Sequence, residues 1–151
     1  MINKNKLLLK RVFDIIFSFF GLTIFFVIIL FSWAFSSINS RKNGLFIQDR
    51  VGKNGKTFKI IKIRTMKPDS SISTTVTQIG DPRITRLGLF FRKTKIDELP
   101  QLWNVLIGQM SFVGPRPDVL GYADRLQGED RIILSIRPGI TGPAQLAYKD
   151  E

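Results

Sequence analysis

The chain has 151 residues, with 23 Lys+Arg against 12 Asp+Glu, a formal net charge of +11, and neither Cys nor His. The two zeros exclude a disulfide framework, a Cys/His zinc site, a thiolate nucleophile and any Ser-His or Cys-His catalytic pair. A metal would have to be held by oxygen ligands, as Mg²⁺, Mn²⁺ and Ca²⁺ are, and chemistry falls to carboxylates, Lys, Tyr or hydroxyls.

The first element is the run Ile15–Ser40, 26 residues without a charge that hold seven of the thirteen Phe. As one helix it would be about 39 Å long, enough for a hydrocarbon core of about 30 Å. A signal peptide would have an apolar core of about 7–15 residues and a small-residue cleavage site. This run is longer, and Phe31, Trp33 and Phe35 crowd its end. Its flanks are both basic: Lys4, Lys6, Lys10 and Arg11 before it, Arg41, Lys42 and Arg50 after it. Positive residues stay cytoplasmic, so a full span places one flank on the wrong side. A helix that dips in and returns satisfies both flanks, and so does an in-plane helix, although the run reads as apolar all round. Gly21 with Thr23, or Ser32, offers a bend, and no Pro enforces one. Spanning and re-entrant geometries both stay open on the residues alone.

Residues 41–95 carry 14 Lys/Arg and three acids, a net +11 that equals the total for the chain. Such a patch suits anionic lipid head groups, nucleic acid or a phosphorylated small substrate. A membrane anchor tethers the protein away from nucleic acid, which makes that the weakest of the three.

Leu45–Gln48 and Thr57–Arg64 have strand composition, and Gly52–Lys56 between them has turn chemistry, so a β-hairpin is expected. Residues 67–82 are polar, Ser/Thr-rich and bounded by Pro, and read as a loop. Helical spacing follows over Ile84–Arg92 and again from Asp97 to about Ile107, with Pro100 tolerable in the first turn. Gly114–Pro117 and Arg137–Pro143 read as rigid turns, and 118–135 as one or two helices. Trp103 and the pair Phe90–Phe91 suit core or membrane-interface positions.

With no His or Cys, the adjacent carboxylates Asp97-Glu98, close after Arg92, Lys93 and Lys95, are the best candidate for chemistry. Two hard oxygen donors, completed by water and substrate phosphates, are how Mg²⁺ is usually held. A carboxylate can also attack phosphorus and form an acyl phosphate. The plainer alternative is that Asp97 caps a helix and Glu98 matches its dipole. Arg116 and Arg137 each sit in a Pro/Gly turn, where an Arg can clamp phosphate or simply bond backbone carbonyls.

The strings KRVFD (10–14), FKIIKIRTM (58–66), DPRITRLG (81–88), KIDELPQLWNVLIGQMSFVGPRP (95–117) and IRPGITGPAQL (136–146) resemble the bacterial sugar transferases, the monotopic phosphoglycosyl transferases. The resemblance runs along nearly the whole chain from residue 10. It implies an α+β fold: an N-terminal membrane helix, re-entrant, in domain 1–40, then a small, mainly helical cytoplasmic-face catalytic domain with a short β-hairpin over 41–151. It implies transfer of a sugar 1-phosphate from a UDP-sugar to undecaprenyl (polyprenol) phosphate with release of UMP, the first membrane step of exopolysaccharide, capsule, O-antigen or glycoprotein glycan synthesis. On matching positions Asp97 would be the nucleophile that forms a covalent phosphosugar intermediate, and Asp97 with Glu98 would place Mg²⁺. Arg92, Arg116 and Arg137 would bind phosphate, with Lys62 and Arg64 lining the basic face. Phe13, Asp14, Gly21, Phe26 and Val27 would belong to the membrane segment. The implied location is the bacterial inner membrane, with membrane lipid as partner, no nucleic acid, and a second copy or downstream glycosyltransferases as protein partners. Two departures stand out. The family usually breaks its membrane helix at a Ser-Pro pair where this chain has Phe26-Val27, and its members usually continue some tens of residues past the position of Glu151. A C-terminally short chain leaves a second expectation open, a catalytically incomplete membrane-anchored module that binds nucleotide sugar or anionic lipid.

Overall fold

A computed structural model describes residues 4–68 and 81–142. Most of the expected 67–82 loop, and the part of the last rigid turn from Pro143 onward, lie outside the described residues.

Lys4–Ser40 forms a single helix, α1, of 37 residues, about 55 Å long. It is unbroken through Gly21, Thr23, Phe26, Val27 and Ser32. Gly21 serves as a contact rather than a bend, since a Cβ there would lie 3.1 Å from Leu102 Cδ1. The helix is also not apolar all round. Asp14, Ser18, Ser32, Ser36 and Ser40 are buried, whereas Phe13, Phe17, Phe19, Phe20, Phe26, Val27 and Phe31 are exposed. Steps of three and four residues gather the polar and small positions on one side. A soluble amphipathic helix buries its apolar stripe; α1 does the reverse. Three of these serines make hydrogen bonds: Ser18 Oγ donates to the Asp14 carbonyl at 2.5 Å, Ser40 Oγ to the Ser36 carbonyl at 2.7 Å, and Ser36 Oγ to the Arg64 carbonyl at 2.5 Å. Only 11% of the most apolar 18-residue window is buried, so α1 is not the core helix of a soluble domain.

The rest of the protein lies along the polar side of α1. Near its start, Lys10 Nζ bonds the Ser111 hydroxyl and the Val113 carbonyl, and Arg11 donates to the carbonyls of Val105 and Leu106 at 2.7 and 2.8 Å. Asp14 accepts from Ser111 Oγ at 2.8 Å and from the Phe112 N–H at 3.2 Å. Near its end, Trp33 Nε1 donates to Asn43 Oδ1 at 3.1 Å.

The expected hairpin is present: β1 (Leu45–Val51) pairs antiparallel with β2 (Thr57–Ile63), Leu45 opposite Ile63 and Val51 opposite Thr57. Its turn passes through positive φ at Asn54 (59°) and Gly55 (76°), the residue types that tolerate it. Helix α2 spans Arg86–Thr94, and Thr85 Oγ1 caps it by accepting from the Gly88 N–H at 2.9 Å. The second expected helix is divided. Lys95 is left-handed (φ 60°), a 3₁₀ turn covers Ile96–Glu98, and α3 begins only at Gln101, ending at Leu106. Pro100, which lacks an N–H, stands at the junction.

Two further strands are present, β3 (Ser111–Val113) in a stretch given no element and β4 (Gly139–Thr141) in one expected as a turn, and they run parallel. Between them, 118–135 holds 3₁₀ segments at Ala123–Arg125 and Gly128–Ser135 in place of α-helix. Positive φ at Gly121 and Gly128 interrupts the chain there. The domain is therefore less helical than its apolar spacing suggests.

Phe58 and Ile60 of β2 pack with Val105 and Met110 in one core, and Val51, Ala123 and Leu134 form another. Phe91 joins the interior, while Phe90 and Trp103 are exposed. Asn104, 1% exposed, bolts α3 to β2. Its Oδ1 accepts from the Ile61 N–H at 3.2 Å, and its Nδ2 donates to the Lys59 carbonyl at 2.8 Å and to Gln109 Oε1 at 2.7 Å.

Candidate active site

The left-handed turn at Lys95 reverses the chain after α2 and lays the Ile96–Glu98 turn beside β2. Asp97 is consequently 8% exposed. Burial, together with the neighbouring Glu98 charge, pushes its carboxyl up to about 6, against the opposing pull of Lys62, Arg92 and Lys95. Its Oδ1 is buried with no hydrogen-bond partner. A buried acceptor left open beside three cations can take an electrophile or a cation.

Glu98 pairs with Lys62, Oε1 to Nζ 3.1 Å, with side chains 15% and 22% exposed. Arg92, in the last turn of α2, donates Nε to Thr65 Oγ1 at 3.0 Å and contributes its charge to Asp97. A shallow concavity beside the acid pair is lined by Arg50, Ile60, Lys62, Glu98, Gln101 and Arg116, with Pro117, Gly139 and Ile140. A second, largely apolar concavity meets it at Arg116.

The structure thus brings together Asp97, Glu98, Lys62, Arg92 and Arg116. It places Arg64 and Arg137 elsewhere. Arg64 donates to the carbonyls of Asn43 and Leu45 at 2.8 and 3.2 Å and lies over the Phe46 ring at 5.7 Å, fixing the base of the hairpin. Arg137 donates Nε to the Gly108 carbonyl at 2.7 Å, past the C-terminal end of α3. Its neighbour there is Arg11, which bonds the last carbonyls of the same helix. Of the expected membrane residues, Phe13, Phe26 and Val27 face outward, Gly21 meets Leu102, and Asp14 clamps β3.

Two lining residues, Arg50 and Gln101, are absent from the sequence-derived set. The signal for Gln101 was its position three residues after Glu98, which puts both on one side of a helical turn. For Arg50 no local pattern distinguished it from the other basic residues.

No group of three or more Asp, Glu, His or Cys that could cage a metal occurs among the described residues. The donor set fits a hard cation held by two carboxylates and completed by substrate oxygens and water, and the open Asp97 Oδ1 is one such donor.

The chain thus joins a long helix with an outward apolar face to a small α+β domain that holds a buried carboxylate beside a cationic hollow. A family model described as bacterial sugar transferase matches residues 5–151, and the chain belongs to that family. A Bacillus subtilis protein provisionally named an undecaprenyl-phosphate N-acetylgalactosaminyl 1-phosphate transferase is 45% identical over 124 residues, 82% of this chain and 69% of that protein. The exopolysaccharide production protein PSS of Rhizobium leguminosarum bv. phaseoli is 42% identical over 93% of this chain and 74% of its own length. The Aeromonas hydrophila UDP-N-acetylgalactosamine-undecaprenyl-phosphate N-acetylgalactosaminephosphotransferase is 37% identical over 93% of this chain, which spans 34% of it.

Proposed function

We propose that this protein transfers a sugar 1-phosphate from a UDP-sugar to undecaprenyl phosphate in two displacements at Asp97. The observation that carries the reading is the buried, unpartnered Asp97 Oδ1 on a carboxylate that feels the charges of Lys62, Arg92 and Lys95. In the first displacement the ionised Asp97 attacks the phosphorus bearing the sugar. The bond to the bridging diphosphate oxygen breaks, and UMP leaves with that oxygen. In the second, a phosphate oxygen of the lipid attacks the same phosphorus and the Asp97 carboxylate departs, leaving a polyprenyl-diphosphate sugar. Lys62 and Arg92 keep Asp97 available as the anion, and Arg116 offsets phosphate charge as it shifts to the leaving group. Asp97 and Glu98 would hold Mg²⁺, which supplies further neutralisation of the diphosphate when bound.

The outward apolar face of α1 fits a bilayer as partner. A spanning helix needs about 20 residues free of a polar domain, whereas α1 is engaged at Asp14, Gly21, Trp33 and Ser36. These contacts favour α1 embedded along one face of the membrane, with both basic flanks and the domain on the cytoplasmic side.

The test uses purified chain in detergent with Mg²⁺, UDP-sugars and undecaprenyl phosphate, following UMP release. Turnover that is lost in Asp97→Asn and Asp97→Ala is the expected result; turnover that survives both removes the nucleophile assignment. UDP-sugar binding with no turnover for any donor would identify a binding module instead. For topology, single cysteines at Asn5 and Asn43 in this Cys-free chain are expected to resist labelling from outside intact cells. Labelling at either would refute the one-sided arrangement.

A further inference from the structure

Three buried polar side-chain atoms lack a hydrogen-bond partner among the described residues: Asp97 Oδ1, Arg50 Nε and Gln101 Nε2. The first is the nucleophile's acceptor. The other two are donors, and both residues line the concavity beside Glu98. Gln101 is 2% exposed, so water does not readily supply what Nε2 lacks. Arg50 is held in place by its other nitrogens, Nη1 donating to the Pro117 carbonyl at 3.1 Å and Nη2 to Gln48 Oε1 at 2.8 Å, which leaves the Nε edge open. Buried donors without acceptors are rare in folded proteins and costly. Finding two in one hollow that also holds Lys62 and Arg116 indicates a missing group rich in anionic acceptors.

Resting on the phosphoglycosyl transfer reading above, we propose that Arg50 and Gln101 are positioning residues that hold the phosphate of the departing nucleotide. Glu98 lines the hollow and Asp97 does not. The phosphorus under attack must face Asp97, so the hollow one residue further along suits the neighbouring phosphate of the diphosphate. Phosphoryl oxygens accept several hydrogen bonds at once, and a planar Arg edge with an amide N–H supplies directional donors where a lysine gives only charge. Burial and the nearby Arg116 push the Arg50 guanidinium down, while Asp118 pulls the other way; an anion between the two arginines relieves that repulsion.

The test compares wild-type chain with Gln101→Met and Arg50→Lys in detergent, measuring UMP and inorganic pyrophosphate binding by calorimetry and thermal unfolding of each protein. Gln101→Met keeps the shape and removes the orphaned donor. The expected result is UMP binding weakened about tenfold or more in both variants, with the unfolding temperature of Gln101→Met equal to or above wild type. Steady-state assays should show KM for the UDP-sugar rising more than KM for undecaprenyl phosphate. UMP affinity within twofold of wild type overturns the assignment. So does a lowered unfolding temperature in Gln101→Met, which would mark a structural glutamine. Selective weakening of undecaprenyl phosphate would give the hollow to the acceptor phosphate and also overturn it. Should the wild-type chain bind pyrophosphate but not UMP, the nucleotide transferase reading itself fails, separately from the role of this donor pair.

Discussion

Lys62 Nζ lies 3.1 Å from Glu98 Oε1, and this ion pair stands beside Asp97, whose carboxyl the two partners drive in opposite directions. Glu98 raises it by charge repulsion and Lys62 lowers it. The two residues therefore differ in their effect on pH dependence although they form one pair. In the Mg²⁺-free protein the Asp97 carboxyl should titrate near 6. Glu98→Gln should move that titration to lower pH, and Lys62→Met should move it to higher pH. Carboxyl NMR of the Mg²⁺-free protein from pH 4 to 8 decides it; shifts of the same sign would refute the electrostatic roles.

Asp97 also carries a stability cost. Its carboxyl is raised from the ordinary 3.8 to about 6 in the folded protein. The folded state thus holds its proton more tightly than the unfolded chain, and stability falls as pH rises from about 4 through 6. Above pH 6 the penalty is on the order of 3 kcal/mol. Asp97→Asn removes it, so the variant should unfold several degrees higher than wild type at pH 7.5 while losing turnover. The difference should shrink to about a third at pH 4.5 and nearly vanish at about pH 3. An unfolding temperature independent of the substitution at pH 7.5 would show that the carboxylate is not strained by burial.

The hairpin, the helix at Arg86–Thr94 and the acid pair were legible because each rests on local chemistry: β-branched runs, helical spacing, adjacent carboxylates among cations. What was not legible depends on distance. Nothing near Arg64 in the chain indicates that its guanidinium closes on Asn43 and Leu45, and nothing near Arg137 points to Gly108. The parallel pairing of Ser111–Val113 with Gly139–Thr141 joins segments more than twenty residues apart, and each strand is too short to show alternation. The polar stripe of α1 was present in the sequence, at 14, 18, 32, 36 and 40. Serine is so weakly polar among phenylalanines that the run reads as uniformly apolar until the helix sorts its faces.

Asn104 shows how a polar residue can set the position of the site. It ties α3 to β2 through three hydrogen bonds, to Ile61, Lys59 and Gln109, at 1% exposure. Asn104→Ala leaves the Ile61 N–H and the Lys59 carbonyl without that partner, and should destabilise the protein by about 2–4 kcal/mol. Since Lys62 lies on the strand so held and Gln101 on the helix, donor KM should rise even where the variant remains folded. A loss below about 0.5 kcal/mol in thermal or denaturant unfolding would mean that the helix is positioned by apolar packing with Val105 alone.

Asp14 makes the corresponding tie between α1 and the domain. At 2% exposure it accepts from Ser111 Oγ at 2.8 Å and from the Phe112 N–H at 3.2 Å, with Lys10 Nζ 3.8 Å away. Asp14→Ala strands the Phe112 N–H and removes the acceptor of the Ser111 hydroxyl at once, whereas Ser111→Ala leaves Asp14 its backbone donor and Lys10. The first should cost about 2–4 kcal/mol and the second distinctly less. Because the two residues share one bond, the double variant should be less destabilised than the sum of the singles, by about 0.5–3 kcal/mol. Unfolding in detergent, followed by tryptophan fluorescence, gives the cycle directly. Strict additivity would show that α1 is held by its apolar contacts and that the Asp14 carboxylate does not secure it to β3.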